Sequence, residues 1–313
     1  MTTDARPPDA PAGESSQSPQ SEARPDAAHG SSEGGPPHGK QFVKFSFFRL
    51  SDSIRAAPDE PRNQLAQILN SLLDKSGERM LTRTYSTIGT RADTDFLVWQ
   101  VSDDLRMIMD WHAALVNSPL GAALHRPYSY LSMTMRSQYK NLVHPETAGR
   151  ETLRDDGGVA DYLFVYPMVK TRTWYTLPIP ERQRIMNEHI AIGHKYHDIQ
   201  INTTYSFGLD DQEFVVAFEG NDPGAFLALV RELRDSESSA YTERDTPAFT
   251  CRRMAPPDML FHIGLIRPPS NKQAGPPGAQ PGAPPPEQRM PQQPGGQPPG
   301  AGPGGPTPKI WKP

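Results

Sequence analysis

Three residues, His189, Tyr166 and Lys170, stand where this sequence could do chemistry. His189 lies in ERQRIMNEHIAIGHKYH, residues 181–197. The pattern predicts one amphipathic helix, with Ile185, Met186, Ile192 and Tyr196 recurring on one face. His189 falls on that same face, three residues from Met186 and three from Ile192. An imidazole on a core-facing stripe is either a buried histidine satisfied by one hydrogen bond or a ligand. Neutral imidazole is the commonest protein donor to metals and haem.

Tyr166 and Lys170 belong to DYLFVYPMVK, residues 161–170. Alternation along a strand puts Tyr162, Phe164, Tyr166, Met168 and Lys170 on one face and Leu163 and Val165 on the other. Tyr166 and Lys170 then stand about 13 Å apart. A phenol and a lysine with Met168 between them suit a large, flat, anionic ligand. The alternative is that Lys170 only marks the exposed end of the strand.

Other chemistries find little support. His189, His194 and His197 follow neither the HExxH spacing nor any zinc-ligand pattern. A Gly-x-Ser-x-Gly nucleophile and a phosphate-binding glycine loop are both missing from the part predicted to fold. The single cysteine, Cys251, excludes an intramolecular disulfide and a CxxC site, and it fits a reducing compartment. A net charge of −4 gives no nucleic-acid footprint. The sequence shows no signal-peptide pattern and no apolar run of membrane-spanning length. The resulting expectation is a cytoplasmic protein.

The elements that must position these residues lie in the middle of the 313-residue chain. Residues 1–40 contain no Val, Ile, Leu, Phe, Tyr or Trp, and residues 268–313 are rich in Pro, Gly and Gln. Neither segment can bury enough apolar surface to offset its ordering entropy, so both are read as disordered tails. They hold 23 of the 35 prolines, so the proline content says little about the middle.

The middle is written twice. Residues 42–50 (FVKFSFFRL) predict a strand and RNQLAQILNSLLDK a helix. MLTRTYSTIG and DFLVWQV are strands, LRMIMDWHAALVN is a helix, and YSYLSMTMR is a strand. The second copy runs DYLFVYPMVK, the His189 helix, IQINTTYSFG, EFVVAFE, the helix DPGAFLALVRELR, and TPAFTCR. Each copy is a βαββαβ unit, the ferredoxin-like split motif. The fold class is therefore α+β: two tandem ferredoxin-like halves, residues 41–155 and 156–267, form a barrel with helices outside.

YPMVKTRTWYTLPIPERQRIMNEHIAIGHKY, followed by TTYSFGLDDQEFVVAFE and DTPAFTC, resembles the chlorite dismutase-like haem protein family, closest to its coproheme decarboxylase branch. The resemblance implies a ring-shaped homopentamer and gives residues 156–267 the haem. It makes His189 the axial ligand of the haem iron, through Nε2, with Glu237 as the acceptor of its Nδ1–H. It makes Tyr166 the redox-active tyrosine and Lys170 its partner. Met168 and Ile201 would line the porphyrin. Arg136, Lys140, Arg150 and Arg154, just before the Tyr166 strand, are candidate donors to its propionates, or else a solvated basic loop.

The implied reaction is hydrogen peroxide-dependent oxidative decarboxylation of iron coproporphyrin III (coproheme) to haem b. The porphyrin is both substrate and redox cofactor, and hand-off from a ferrochelatase is the implied source. One position departs from the pattern. Chlorite dismutases carry an arginine on the strand after the ligand helix, and IQINTTYSF has none. Counting back from GLDD puts Ile201 at that position; counting forward from His189 puts Asn202 there. Gln200 or Asn202 could substitute in another register. An apolar Ile201 argues against chlorite dismutation. It leaves a haem- or coprohaem-binding carrier or sensor, and a weak haem peroxidase, as the rival readings.

Overall fold

A computed structural model describes residues 40–140, 153 and 160–267. The tails expected at either end lie outside the described residues apart from Lys40, and so do Arg150 and Arg154. The first run of elements is β1 (Phe42–Leu50), α1 (Asp52–Ala56), α2 (Asp59–Gly77), β2 (Leu81–Ser86), β3 (Phe96–Ser102), α3 (Leu105–Val116), α4 (Leu120–Ala123) and β4 (Leu124–Met133). The second is β5 (Tyr162–Lys170), α5 (Arg172–Thr176), α6 (Ile179–His194), β6 (Gln200–Tyr205), β7 (Phe214–Gly220) and α7 (Pro223–Asp235). It continues through a 3-10 turn (Glu237–Tyr241), β8 (Thr242–Arg244), β9 (Phe249–Arg253) and α8 (Pro256–His262). The βαββαβ order expected from the sequence is present twice.

Matching local signals build the two copies. Asp104 caps α3 by accepting from the N–H of Arg106, and Asp222 caps α7 by accepting from the N–H of Gly224. Loss of such a cap costs about 1 kcal/mol. The turns before β3 and β7 both use a glycine at positive φ, Gly89 at 87° and Gly208 at 73°. That conformation strains any residue with a Cβ.

The strands form one sheet in the order β7-β6-β4-β1-β3-β2-β9-β5-β8, and β5 also pairs with β7. Eight strands therefore close into a barrel, with β8 attached outside the ring. The two copies join through β4–β6, at Met133 and Tyr205, and through β2–β9, at Tyr85–Arg253 and Ser86–Arg252. Closure leaves no unpaired edge in the ring.

Alternation sorts the apolar residues into three cores. The barrel interior holds Phe45, Phe47, Leu97, Trp99, Leu163, Val165, Val215, Ala217, Phe249 and Cys251. A second core lies under α2 and α3 and is filled by Met259, Leu260, Ile263 and Leu265 from α8 and the turn after it. A third lies under α6 and α7, around Phe164, Ile192, Val216, Phe218 and Leu229. Leu163 and Val165 thus face inward while Phe164, with Tyr162, Tyr166 and Met168, faces the helices, as alternation requires.

Three boundaries differ from the periodicity. α6 starts at Ile179, with Pro180 in its first turn where a missing N–H costs nothing. It ends at His194, because residues 195–199 turn back through Tyr196 and Ile199 to enter β6. β4 begins at Leu124, since its ladder with β1 runs through Leu50↔Leu124 despite the polar sequence around Pro127. α8 and the short β8 carry no strong periodic signal.

Candidate functional site

Three cross-strand rows on the helix-facing side of β5, β7 and β6 make a floor. They are Phe164–Phe218–Ile201, Tyr166–Val216–Thr203 and Met168–Phe214–Tyr205. The floor is about 10 Å across the strands and about 13 Å along them. α6 lies over it. A Cβ on Gly193 would sit 3.4 Å from the Ile201 side chain, and Arg182 shares a cavity with Tyr205 and Phe214. α6 thus runs from the Tyr205 row at Arg182 to the Ile201 row at Gly193, with His189 between.

His189 has a defined tautomer. Its Nδ1 lies 3.0 Å from Ser238 Oγ. Ser236 Oγ donates to the Leu233 carbonyl at 2.7 Å, so its one proton is committed. Across the 3.1 Å contact between the two hydroxyls, Ser238 must therefore donate to Ser236. That commits the Ser238 proton and makes His189 Nδ1–H the donor to Ser238. Nε2 keeps its lone pair and has no hydrogen-bond partner among the described residues. Burial first, then the charge of Lys170, lowers the His189 pKa to about 4. The ring is neutral at pH 7, the state a metal ligand needs.

The acceptor expected from the sequence was Glu237, and the structure corrects this to the next residue, Ser238. Glu237 is turned outward and takes a two-point bond from Arg184 at 2.8 and 2.9 Å. Arg184 also binds Glu181, one turn away on its own helix. An exposed arginine with two carboxylates satisfies Glu237 without the histidine.

Lys170 is buried and does not mark an exposed strand end. Its Nζ donates to the Ser238 carbonyl at 2.9 Å and to Thr242 Oγ1 at 3.3 Å, and it lies 5.1 Å from the centre of the buried Trp174 ring. Burial lowers its pKa to about 8, against the pull of Asp245 and Glu213. Tyr166 packs 5.9 Å from Phe218, and burial, then Asp245, holds its phenol above the usual range. Asp245 is ion-paired to Arg234 near the end of α7, and its carboxylate acts on both candidate residues.

The Ile201 and Asn202 registers are separated by the strand faces. Ile201 pairs with Phe218 on the floor and is 37 % exposed. Asn202 and Gln200 turn to the barrel interior, where their amides lie 3.0 and 3.3 Å from Glu219. Glu219 also binds Arg83 of β2 at 2.6 Å. Neither amide reaches the floor. Of the basic residues before β5, Lys140 is exposed, and its backbone is held to α6 by both amide atoms of Gln183. Arg136 is exposed and engaged.

Beside the floor is a cavity of about 220 Å³ lined by Met135, Tyr139, Trp174, Tyr175, Tyr205 and Phe214, with Arg182 at its wall. Sites for whole drug-sized ligands are larger, ~300–1,000 Å³. The cavity suits one edge of a porphyrin, whose body would lie over the floor between Tyr166 and Ile201. The free Nε2, the neutral ring and the aromatic lining fit such a group. Sequence reasoning missed Ser236 and Ser238, since a DSESS run carries no ligand signal. It also passed over Arg182, which lies at the i−7 position from His189, on one helix face.

The family model for chlorite dismutase matches residues 62–254. A coproheme decarboxylase from Mycolicibacterium smegmatis is 27 % identical over 245 residues, covering 71 % of this chain and all of that protein. One from Staphylococcus carnosus is 31 % identical over 208 residues, 60 % of this chain and 81 % of that protein. A mutant chlorite dismutase from Candidatus Nitrospira defluvii superposes with a TM-score of 0.64 at 19 % identity, over 70 % of this chain and 94 % of that one.

Proposed function

Because the chain belongs to the chlorite dismutase family, we propose that it removes propionate carboxyls from iron coproporphyrin III with hydrogen peroxide, giving haem b. The observation that carries this reading is the hydroxyl relay behind His189, which leaves Nε2 as a lone pair beside a floor that also presents Tyr166. Residues 41–155 serve as the scaffold half and residues 156–267 as the ligand-binding half.

His189 would hold the iron through Nε2, and the Ser238–Ser236–Leu233 relay keeps the ring from turning. Ile201, Thr203, Val216 and Met168, which share the floor, would line a bound macrocycle and limit water. When bound, the iron porphyrin supplies the redox chemistry with peroxide. Tyr166 is the relay for hydrogen: burial keeps Oη protonated, so its electron and proton leave together. Lys170 would serve as partner to the reacting carboxylate through a charge-assisted bond only once its Nζ leaves the Ser238 carbonyl and Thr242 Oγ1. Each round consumes one propionate, one proton and one peroxide and yields a vinyl group, carbon dioxide and two waters. The same proposal includes a homopentamer, a cytoplasmic site of action and delivery of substrate from a ferrochelatase. Among the described residues no helix is long and apolar enough to cross a membrane.

One observation favours a second reading. Ile201 places a hydrocarbon where peroxide would need polarising, which suits a carrier or sensor with little turnover. Both readings are tested by adding peroxide stepwise to the protein with iron coproporphyrin III and following porphyrin mass, beside Tyr166→Phe. Successive loss of two carboxyl groups, abolished in the variant, establishes the decarboxylase. Tight binding with no mass change in either protein establishes the carrier.

A further inference from the structure

Among the described residues, Arg182 is a cation without an anion. Its Nε is buried with no hydrogen-bond partner, and no carboxylate pairs with it among the described residues. Nearby carboxylates are committed elsewhere. Glu181 and Glu237 bind Arg184. Glu213 accepts from the Tyr175 hydroxyl at 2.5 Å and the Lys170 N–H at 2.8 Å. Leaving a guanidinium group part-desolvated and unpaired is costly unless an anion completes it.

Its position says which anion. Arg182 and His189 lie seven residues apart on α6, hence on one helix face and about 10 Å apart along the axis. That is comparable with the span from the centre of a porphyrin to a carboxylate on its rim. The cavity at Arg182 is walled by Trp174, Tyr175, Tyr205 and Phe214, which would receive the flat apolar edge that carries such a carboxylate.

We infer that Arg182 is a substrate-anchoring residue: its guanidinium binds a rim carboxylate of the porphyrin whose iron His189 holds, at the aromatic cavity under the start of α6. The inference rests on the porphyrin reading above and adds to it a residue that sets orientation. A fork of N–H donors matches a carboxylate in two-point geometry, which fixes one edge of an otherwise near-symmetric disc.

The test uses the full chain and two probes: iron coproporphyrin III, and the same porphyrin with its carboxyls converted to methyl esters. Binding is followed by the porphyrin absorption band for the wild type, Arg182→Gln and Arg182→Lys. The inference expects Arg182→Gln to weaken the free acid by about tenfold to a hundredfold, the usual worth of a charged hydrogen bond. It expects the ester to be bound alike by both proteins and Arg182→Lys to recover part of the loss. Equal losses for acid and ester mean a structural role and overturn the inference. Unchanged binding of the acid by Arg182→Gln overturns it too, leaving the porphyrin reading intact. If the wild type binds neither probe, the porphyrin reading fails and the inference falls with it.

Discussion

His189 and Lys170 are fastened to the two ends of one residue: the imidazole meets the Ser238 hydroxyl at 3.0 Å and the ammonium meets the Ser238 carbonyl at 2.9 Å. The 3-10 turn carrying Ser238 thus fixes the ring tautomer and sets a positive charge beside it. Both effects favour a neutral imidazole with a free Nε2.

Ser238→Ala removes the acceptor of Nδ1–H and keeps the backbone carbonyl for Lys170. Loss of such an outer partner of a metal-bound histidine typically costs 10–100-fold in affinity. Titration with iron coproporphyrin III should show a loss of about that size, and Ser236→Ala a smaller one. Wild-type affinity in Ser238→Ala would refute the relay.

The lowered pKa of His189 makes stability depend on pH. The unfolded ring has a pKa near 6.5 and the folded one about 4. Between these values the unfolded chain binds the extra proton, so stability is present above about pH 6.5 and is lost as pH falls toward 4. The full effect is at most about 3 kcal/mol. His112, half-buried beside Ser46 with its pKa also lowered to about 4, acts in the same window. Urea unfolding at pH 7 and pH 5 should show a smaller drop in His189→Gln than in the wild type. An equal drop would mean that His189 is not desolvated.

Arg83 and Glu219 form an ion pair across the barrel interior between β2 and β7, with side chains 5 % and 6 % exposed. Removing one partner strands a buried charge, which costs about 3–5 kcal/mol. Arg83→Met should lower the urea midpoint accordingly. The double variant Arg83→Met with Glu219→Leu should recover most of the loss, because an apolar pair of similar volume needs no desolvation. A double variant as unstable as the single one would show that Asn202 and Gln200 depend on the Glu219 carboxylate.

Ile201→Gln places an amide on the floor at a half-exposed position, so the stability change should stay within about 0.5 kcal/mol. With porphyrin bound, stopped-flow mixing with peroxide should show a faster reaction than in the wild type. No change would mean that Ile201 does not limit the reaction.

Much of this was legible in one dimension. Spacing of two along the strands and of three to four along the helices located both βαββαβ copies and sorted Leu163 and Val165 from Phe164 and Tyr166. The helical spacing put His189 on the same stripe of α6 as the buried Ile185 and Ile192. Ser238 could not be read this way, because a hydroxyl in a polar run becomes an acceptor only when the 3-10 turn packs against α6. The choice between Ile201 and Asn202 was a one-residue ambiguity. In a strand such a slip reverses the face, and only the pairing of Ile201 with Phe218 resolves it.

By itself, then, the sequence determined which residues are apolar, how often the pattern repeats, and which side chains share an element face. These are local properties, set by backbone period and side-chain type. Tertiary structure decided how the two copies differ beneath their helices. Met259, Leu260, Ile263 and Leu265 come from the far end of the chain to fill the core under α2 and α3. No such segment enters under α6 among the described residues, and Ile201 and Thr203 on the floor there stay exposed. The physical reason is that filling a core depends on distant segments meeting in space. The period of a single helix or strand carries no record of that meeting.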